Sequence, residues 1–300
     1  MEFLSQIISF PLIIASFRLA TPLLLGALGG IFSERSGVIN IALEGMMLFG
    51  AFAAVYGSAL TGSPWVGVLY AMIAGMMLAA LHGLVSIKFK ADQIISATGI
   101  NIFASGITLF FLQVIFDVSG TSPRVTRLPA WSFFDLFQFN PVTYFAVLLV
   151  PIVWLFFYRT PWGLRIRAIG EHPQAADTLG VNVDRWRFIC VLISGALAGM
   201  AGAHLSLGIT GAFVREMAAG RGFIALAAMI FGKWNPFGAL GAALLFGFAE
   251  AIALRVDVPL VPSEMIGTIP YVVTIIVLAG FIGRATPPRA LGKPYVKGGK

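Results

Sequence analysis

A chain of 300 residues that is 58% hydrophobic and only 11% charged cannot cover itself with a water-facing surface, because soluble domains carry roughly 25% charged residues. The composition therefore excludes a soluble globular protein and implies a polytopic membrane protein. The net charge of +7 falls mostly in short loops beside apolar segments, where it reports topology and not nucleic-acid binding.

A bilayer-crossing helix needs about 20 mostly apolar residues, fewer or more where it is short or tilted. Nine segments come near that length: 7–31, 38–60, 65–87, 94–116, 141–158, 188–208, 222–235, 238–254 and 265–283. The expected fold is an all-α transmembrane bundle of about nine spans, with eight and ten as the bounds. The opening MEFLSQ has no basic stretch before the apolar segment, so no cleaved signal peptide is expected. Segment 222–235 is the shortest and ends in Lys233, Asn235 and Pro236, leaving a re-entrant element as its alternative. The stretch from Asp117 to Asn140, with Pro123, Pro129, Trp131, Phe133 and Phe134, reads as a structured loop at the interface.

The main polar interruption runs from Arg159 to Arg187 and holds five of the twenty Lys and Arg residues. Pro161 and Gly163 end the preceding helix, and a short exposed helix is expected from Arg165 to Leu179, closing near Gly180. Placing this loop in the cytoplasm puts fourteen basic residues inside, five outside and Arg18 within the first segment. The N-terminus is then outside and the C-terminus cytoplasmic, provided that 222–235 crosses.

Glycine is abundant, and Gly195 with Gly199 forms a GxxxG pair followed by Gly202, a spacing that lets helices approach closely in lipid. Polar residues within the apolar segments are costly and face the bundle interior, a cavity or a partner. Glu44 is expected inside the second helix with Asn40 one turn earlier on the same face. Its carboxylate either walls a translocation pathway or is hydrogen-bonded to a neighbouring helix, with Asn101 of the fourth helix as a candidate partner. Glu250 and Arg18 read as structural or interfacial. His82, His204 and the single cysteine, Cys190, lack metal-ligand spacing and are assigned to packing. No proton relay and no nucleophile–base set stands out. The phosphate-binding pattern GxxxxGK[ST] is absent, since Trp234 follows Gly232-Lys233 and Pro294 follows Gly292-Lys293.

The run TPLLLGALGGIFSERSGVINIALEGMMLFGAFAA (21–54) resembles the permeases of bacterial ABC importers of the ribose and branched-chain amino-acid permease superfamily, nearest the nucleoside and simple-sugar branch. The likeness continues through DQIISATGINIFASGIT (92–108), AIGEHPQAADTLGV (168–181) and GRGFIALAAMIFGKWNPFGALGAALLFG (220–247). It implies one transmembrane permease domain over residues 1–300 in the bacterial cytoplasmic (inner) membrane, with a coupling loop at 159–187. It also implies three kinds of partner: a cytoplasmic ATPase that binds ATP and Mg, an extracytoplasmic substrate-binding protein, and a second, longer permease, this chain being the shorter. No cofactor is expected in the chain itself. By the same resemblance the coupling residues are Arg167, Glu171, Ala175, Ala176 and Gly180, and the substrate pathway runs near Asn40, Glu44 and Asn101, with Phe103 or Phe110 stacking on a base. Nucleosides are the expected cargo, with ribose-like or other simple sugars as the alternative and an ion-coupled secondary carrier as the reading from another class.

Overall fold

A computed structural model describes residues 10–133, 137–255, 272 and 285–297. Seven of its helical stretches are long and apolar enough to cross a bilayer. Four of these bounds come first: α1 is Phe10–Arg35, α2 is Leu43–Thr61, α3 is Pro64–Gly83 continued by a π-helical turn Leu84–Lys88, and α4 is Gln93–Phe116. Beyond a short hairpin, β1 Trp131–Phe133 with β2 Phe137–Phe139, come α5 Pro141–Arg159, α6 Pro161–Glu171 and α7 Pro173–Thr178. The chain continues with α8 Val183–Ala203, extended by a π-helical segment His204–Thr210, then α9 Arg221–Phe231 and α10 Pro236–Ala253. The ninth expected span, 265–283, lies outside the described residues save for Val272.

Helix α8 is the axis of the bundle, packed against α1, α2 and α3. Its glycines explain why. A Cβ on Gly195 would lie 2.4 Å from the Gly75 carbonyl oxygen, and one on Gly199 would lie 2.1 Å from that of Ala71. No side chain fits, so α3 and α8 meet backbone to backbone, as the GxxxG spacing predicted. Helix α4 is the opposite case: it lies against α2 at the margin, and most of its length is exposed on the chain's surface.

Two crossings are broken. Between α1 and α2 the chain is non-helical from Ser36 to Ala42. Between α8 and α9 it is irregular from Gly211 to Gly220, returning along the 121–128 loop through Ser122 N to Phe213 O at 2.9 Å and Arg215 N to Gly120 O at 2.9 Å. Helix α9 has 11 residues, about 17 Å, against a hydrocarbon thickness of about 30 Å. The helix expected over 222–235 is thus shorter than a full crossing and is preceded by irregular backbone. It still reaches the end of the bundle that holds Arg35, because Arg35 Nη2 donates to the Trp234 carbonyl at 3.1 Å.

The same basic end receives the chain's last described segment. Gly292 N donates to Gly37 O at 3.1 Å and Ala290 N to Gly170 O at 2.9 Å. Arg187, only 2% exposed, donates to the carbonyls of Ser36 and Lys293 at 3.1 and 3.0 Å. The start of α1 lies at the other end, where His204 binds the Arg18 carbonyl. That arrangement is what an odd number of crossings gives.

Candidate functional site

The break after α1 raises a strict chemical requirement, because backbone N–H and C=O groups inside a membrane must be bonded to protein. Side chains from three helices meet it. Gln93 Oε1 accepts from Ile39 N at 2.7 Å, and His82 Nε2 donates to Ile39 O at 2.9 Å. That bond leaves His82 Nδ1 to accept from the Ser96 hydroxyl at 3.0 Å. Ser33 donates to Val38 O at 2.8 Å. Asn101 uses both ends of its amide: Oδ1 accepts from Gly45 N at 2.8 Å, and Nδ2 donates to Ile41 O at 3.1 Å.

Glu44 performs the equivalent task for the second break. One carboxylate oxygen accepts from Gly220 N at 2.7 Å and the other from Gly222 N at 2.6 Å, closing the amino end of α9, where helical amides have no partner within the helix. Only glycine permits this approach, since a Cβ on Gly222 would stand 2.5 Å from Glu44 Cα. The amino ends of α2 and α9 therefore meet at one seam, with Asn101 on one and Glu44 joining both. Asn101 is eight residues into α4, about 12 Å along its axis, so the seam lies well inside the bundle.

One expectation changes here. Asn40 and Glu44 do not share a helical face, because α2 begins only at Leu43 and Asn40 lies on non-helical backbone. Asn40 is fully buried and donates to Ser194 Oγ of α8 at 2.9 Å. Phe103 stands apart from this polar group. Two residues beyond Asn101 a helix has turned by about 200°, and Phe103 is exposed on the outer face of α4 with Phe110. Glu250 bonds Arg221 of α9, in keeping with its structural reading.

Three groups were not singled out from the sequence. Glu34 is 5% exposed and accepts from Trp234 Nε1 at 2.7 Å, fixing the loop after α9 to the end of α1. Glu216 is bonded to Ser105 Oγ across the seam. Arg187 staples the tail. Their common signal, a charge beside an apolar run, is shared by many helix ends, so sequence position alone did not separate them.

Outside the crossings, the basic end carries a helical hairpin in place of the single helix expected from Arg165 to Leu179. Pro173 lacks an N–H and disfavours helical backbone at the preceding residue, so His172 (φ −142°, ψ 80°) separates α6 from α7. Thr160 caps α6 by accepting from Gly163 N at 3.2 Å. Trp162, Leu164 and Leu179 are exposed, Leu179 by 84%. Trp162 and Leu179 border a groove of about 510 Å³ with Arg165, Arg185 and Trp186. Ala175 and Gly180 are exposed and Glu171 is half-buried. Arg167 instead lies 4.9 Å over the Tyr158 ring, and Ala176 is buried against Ile169, Val183 and Tyr295.

A polar seam at bilayer depth, made where two helices begin inside the bundle, together with a helical hairpin at the basic end, defines a multi-pass transport permease. The profile described as the permease component of the branched-chain amino acid transport system matches residues 12–278, and the chain belongs to that family. It is 43% identical to the guanosine ABC transporter permease protein NupQ of Bacillus subtilis over 98% of both chains. It is 38% identical to the nucleoside ABC transporter permease protein NupC of Lactococcus lactis over 93% of this chain and 94% of that one. It is also 38% identical to the putative glucose ABC transporter permease protein TsgC13 of Haloferax volcanii, over 88% and 89%. NupP, a second guanosine permease protein of B. subtilis, is 27% identical over 89% of this chain and 80% of its own.

Proposed function

We propose that the chain is the permease subunit of an importer for nucleosides in the bacterial cytoplasmic membrane, with its C-terminus in the cytoplasm. A separate ATPase that binds ATP and Mg energises it, an extracytoplasmic binding protein feeds it, and a second, longer permease completes the conduit. The chain itself needs no cofactor and has no ATPase site. The nearly full-length likeness to NupQ supports the nucleoside reading. The observation that carries the energy coupling is the α6–α7 hairpin, which leaves Trp162, Leu164 and Leu179 uncovered on the basic side.

A push on this hairpin has a short route into the bundle. A Cβ on Gly170 would stand 2.2 Å from the Arg35 carbonyl oxygen, so α6 touches the backbone of α1 at the point where the first break begins. Closure of the ATPase dimer against Glu171, Ala175, Leu179 and Gly180 would move α1 and the seam together, opening the conduit to one side and then the other. Asn40, Glu44 and Asn101 hold that seam, and Arg167 and Ala176 hold the hairpin to the bundle.

The substrate class is tested by uptake of labelled guanosine in cells with and without the gene, under excess unlabelled guanosine or ribose. Gene-dependent uptake blocked by guanosine alone is expected. Uptake of ribose with no guanosine signal would instead support the simple-sugar reading, which the likeness to TsgC13 favours. Coupling is tested separately: Leu179→Asp should abolish co-purification of the ATPase while leaving the detergent melting midpoint unchanged, and retained co-purification would overturn the assignment.

A further inference from the structure

Ser105 stands twelve residues into the 24-residue α4, about 18 Å from either end, and its hydroxyl is bonded to the carboxylate of Glu216. Glu216 is nonetheless exposed on the outside of the chain. Among the described residues no Lys or Arg lies within ion-pair distance of it. A carboxylate at mid-depth does not face lipid, and irregular backbone at that depth occurs only where it is buried in protein or lines water. Val214, Arg215, Glu216 and Ala219 of the second break are all exposed, so burial within this chain is not the explanation.

The backbone points the same way. Glu216 (φ 55°) and Ala219 (φ 48°) both adopt the left-handed conformation that residues other than glycine disfavour. Such a geometry persists where the surroundings enforce it, and here it turns an acidic side chain outward. Behind Glu216 lie Glu44 and the Arg221–Glu250 pair. Arg221 is engaged by Glu250, Arg215 forms no ion pair with Glu216, and the Glu216 carboxylate therefore keeps acceptor capacity beyond its bond to Ser105.

We propose that Glu216, oriented by Ser105, lines the conduit and accepts hydrogen bonds from the paired hydroxyls of a neutral sugar moiety in transit. This deepens the nucleoside reading, which it uses for the choice of probe. A carboxylate is an acceptor-only group that two neighbouring hydroxyls can engage together. Glu44, with both oxygens already occupied by amides, is not free for that role.

The test compares uptake of labelled guanosine with that of 2′,3′-dideoxyguanosine in cells carrying the wild type, Glu216→Gln or Glu216→Gly, all with the complete importer. The preference of the binding protein is common to every strain and cancels when mutant is divided by wild type. Guanosine uptake should fall about tenfold in Glu216→Gln, as loss of a charge-assisted hydrogen bond implies, and dideoxyguanosine uptake by less than twofold. Glu216→Gly, which also relieves the left-handed backbone, should behave alike, so misfolding cannot produce the pattern. Equal loss for both substrates would overturn the proposal and make Glu216 an interface residue of the partner permease. If the wild type imports ribose and not guanosine, the nucleoside reading fails alone. The same ratio is then read with ribose and 2-deoxyribose, where equal loss again overturns the role of Glu216.

Discussion

The two broken crossings solve the same problem in opposite ways. The break from Ser36 to Ala42 is packed inside the bundle, with Val38, Asn40 and Ala42 at 0% exposure, and Gln93, His82, Ser33 and Asn101 serve its backbone. The break from Gly211 to Gly220 begins buried, with Phe213 at 0%. It then surfaces at Val214, carries two strained residues and ends on Glu44. The first is a structural joint whose backbone is served by these four side chains, with Asn40 itself bonded to Ser194 of α8. The second leaves an acidic group over, and surplus polarity at membrane depth is where a transport protein meets its cargo.

Substitutions separate these roles. The largest effect is expected for Glu44→Leu, which strips the acceptors from two amides at once. With about 1–3 kcal/mol for each unsatisfied group, folded yield and melting midpoint in detergent should fall sharply, and a midpoint unchanged from wild type would show that the seam is not held this way. Asn101→Leu leaves one amide and one carbonyl of the first break without partners, and because a carbonyl is more cheaply left under-satisfied than an amide it should cost about 2–4 kcal/mol in the same assay. Asn101→Asp, which keeps the acceptor for Gly45 and loses the donor to Ile41, should fall between. Ala219→Gly is the smallest: it should raise stability by about 1 kcal/mol through relief of the left-handed backbone, with uptake unaltered. A loss of stability there would mean that the strain is not stored in that turn.

Length, apolar runs and charge asymmetry made the all-α membrane bundle legible from sequence, because a helix that must satisfy its own backbone in lipid announces itself by hydropathy. The GxxxG contact was legible for a similar reason: Gly195 and Gly199 lie on one face whatever they touch. The shared face of Asn40 and Glu44 was not legible. It presumed a helix through residues 38–42, and apolar residues such as Val38, Ile39 and Ile41 look the same to a periodicity rule whether extended or helical. The exposed hairpin was legible as polar chain, while its division at His172 followed from Pro173 only once both flanks were known to be helical.

Sequence by itself therefore determined the solvent of this protein, the approximate length and number of its crossings, and the place of its basic hairpin. These depend on local composition summed over 20 or more residues. Tertiary structure alone decided that Glu44 closes α9 from 176 residues away, that Asn101 binds the backbone of Ile41 and Gly45, and that Glu216 is the carboxylate of the seam left exposed. A carboxylate's role is set by which donors reach it, and those donors come from segments distant in the chain.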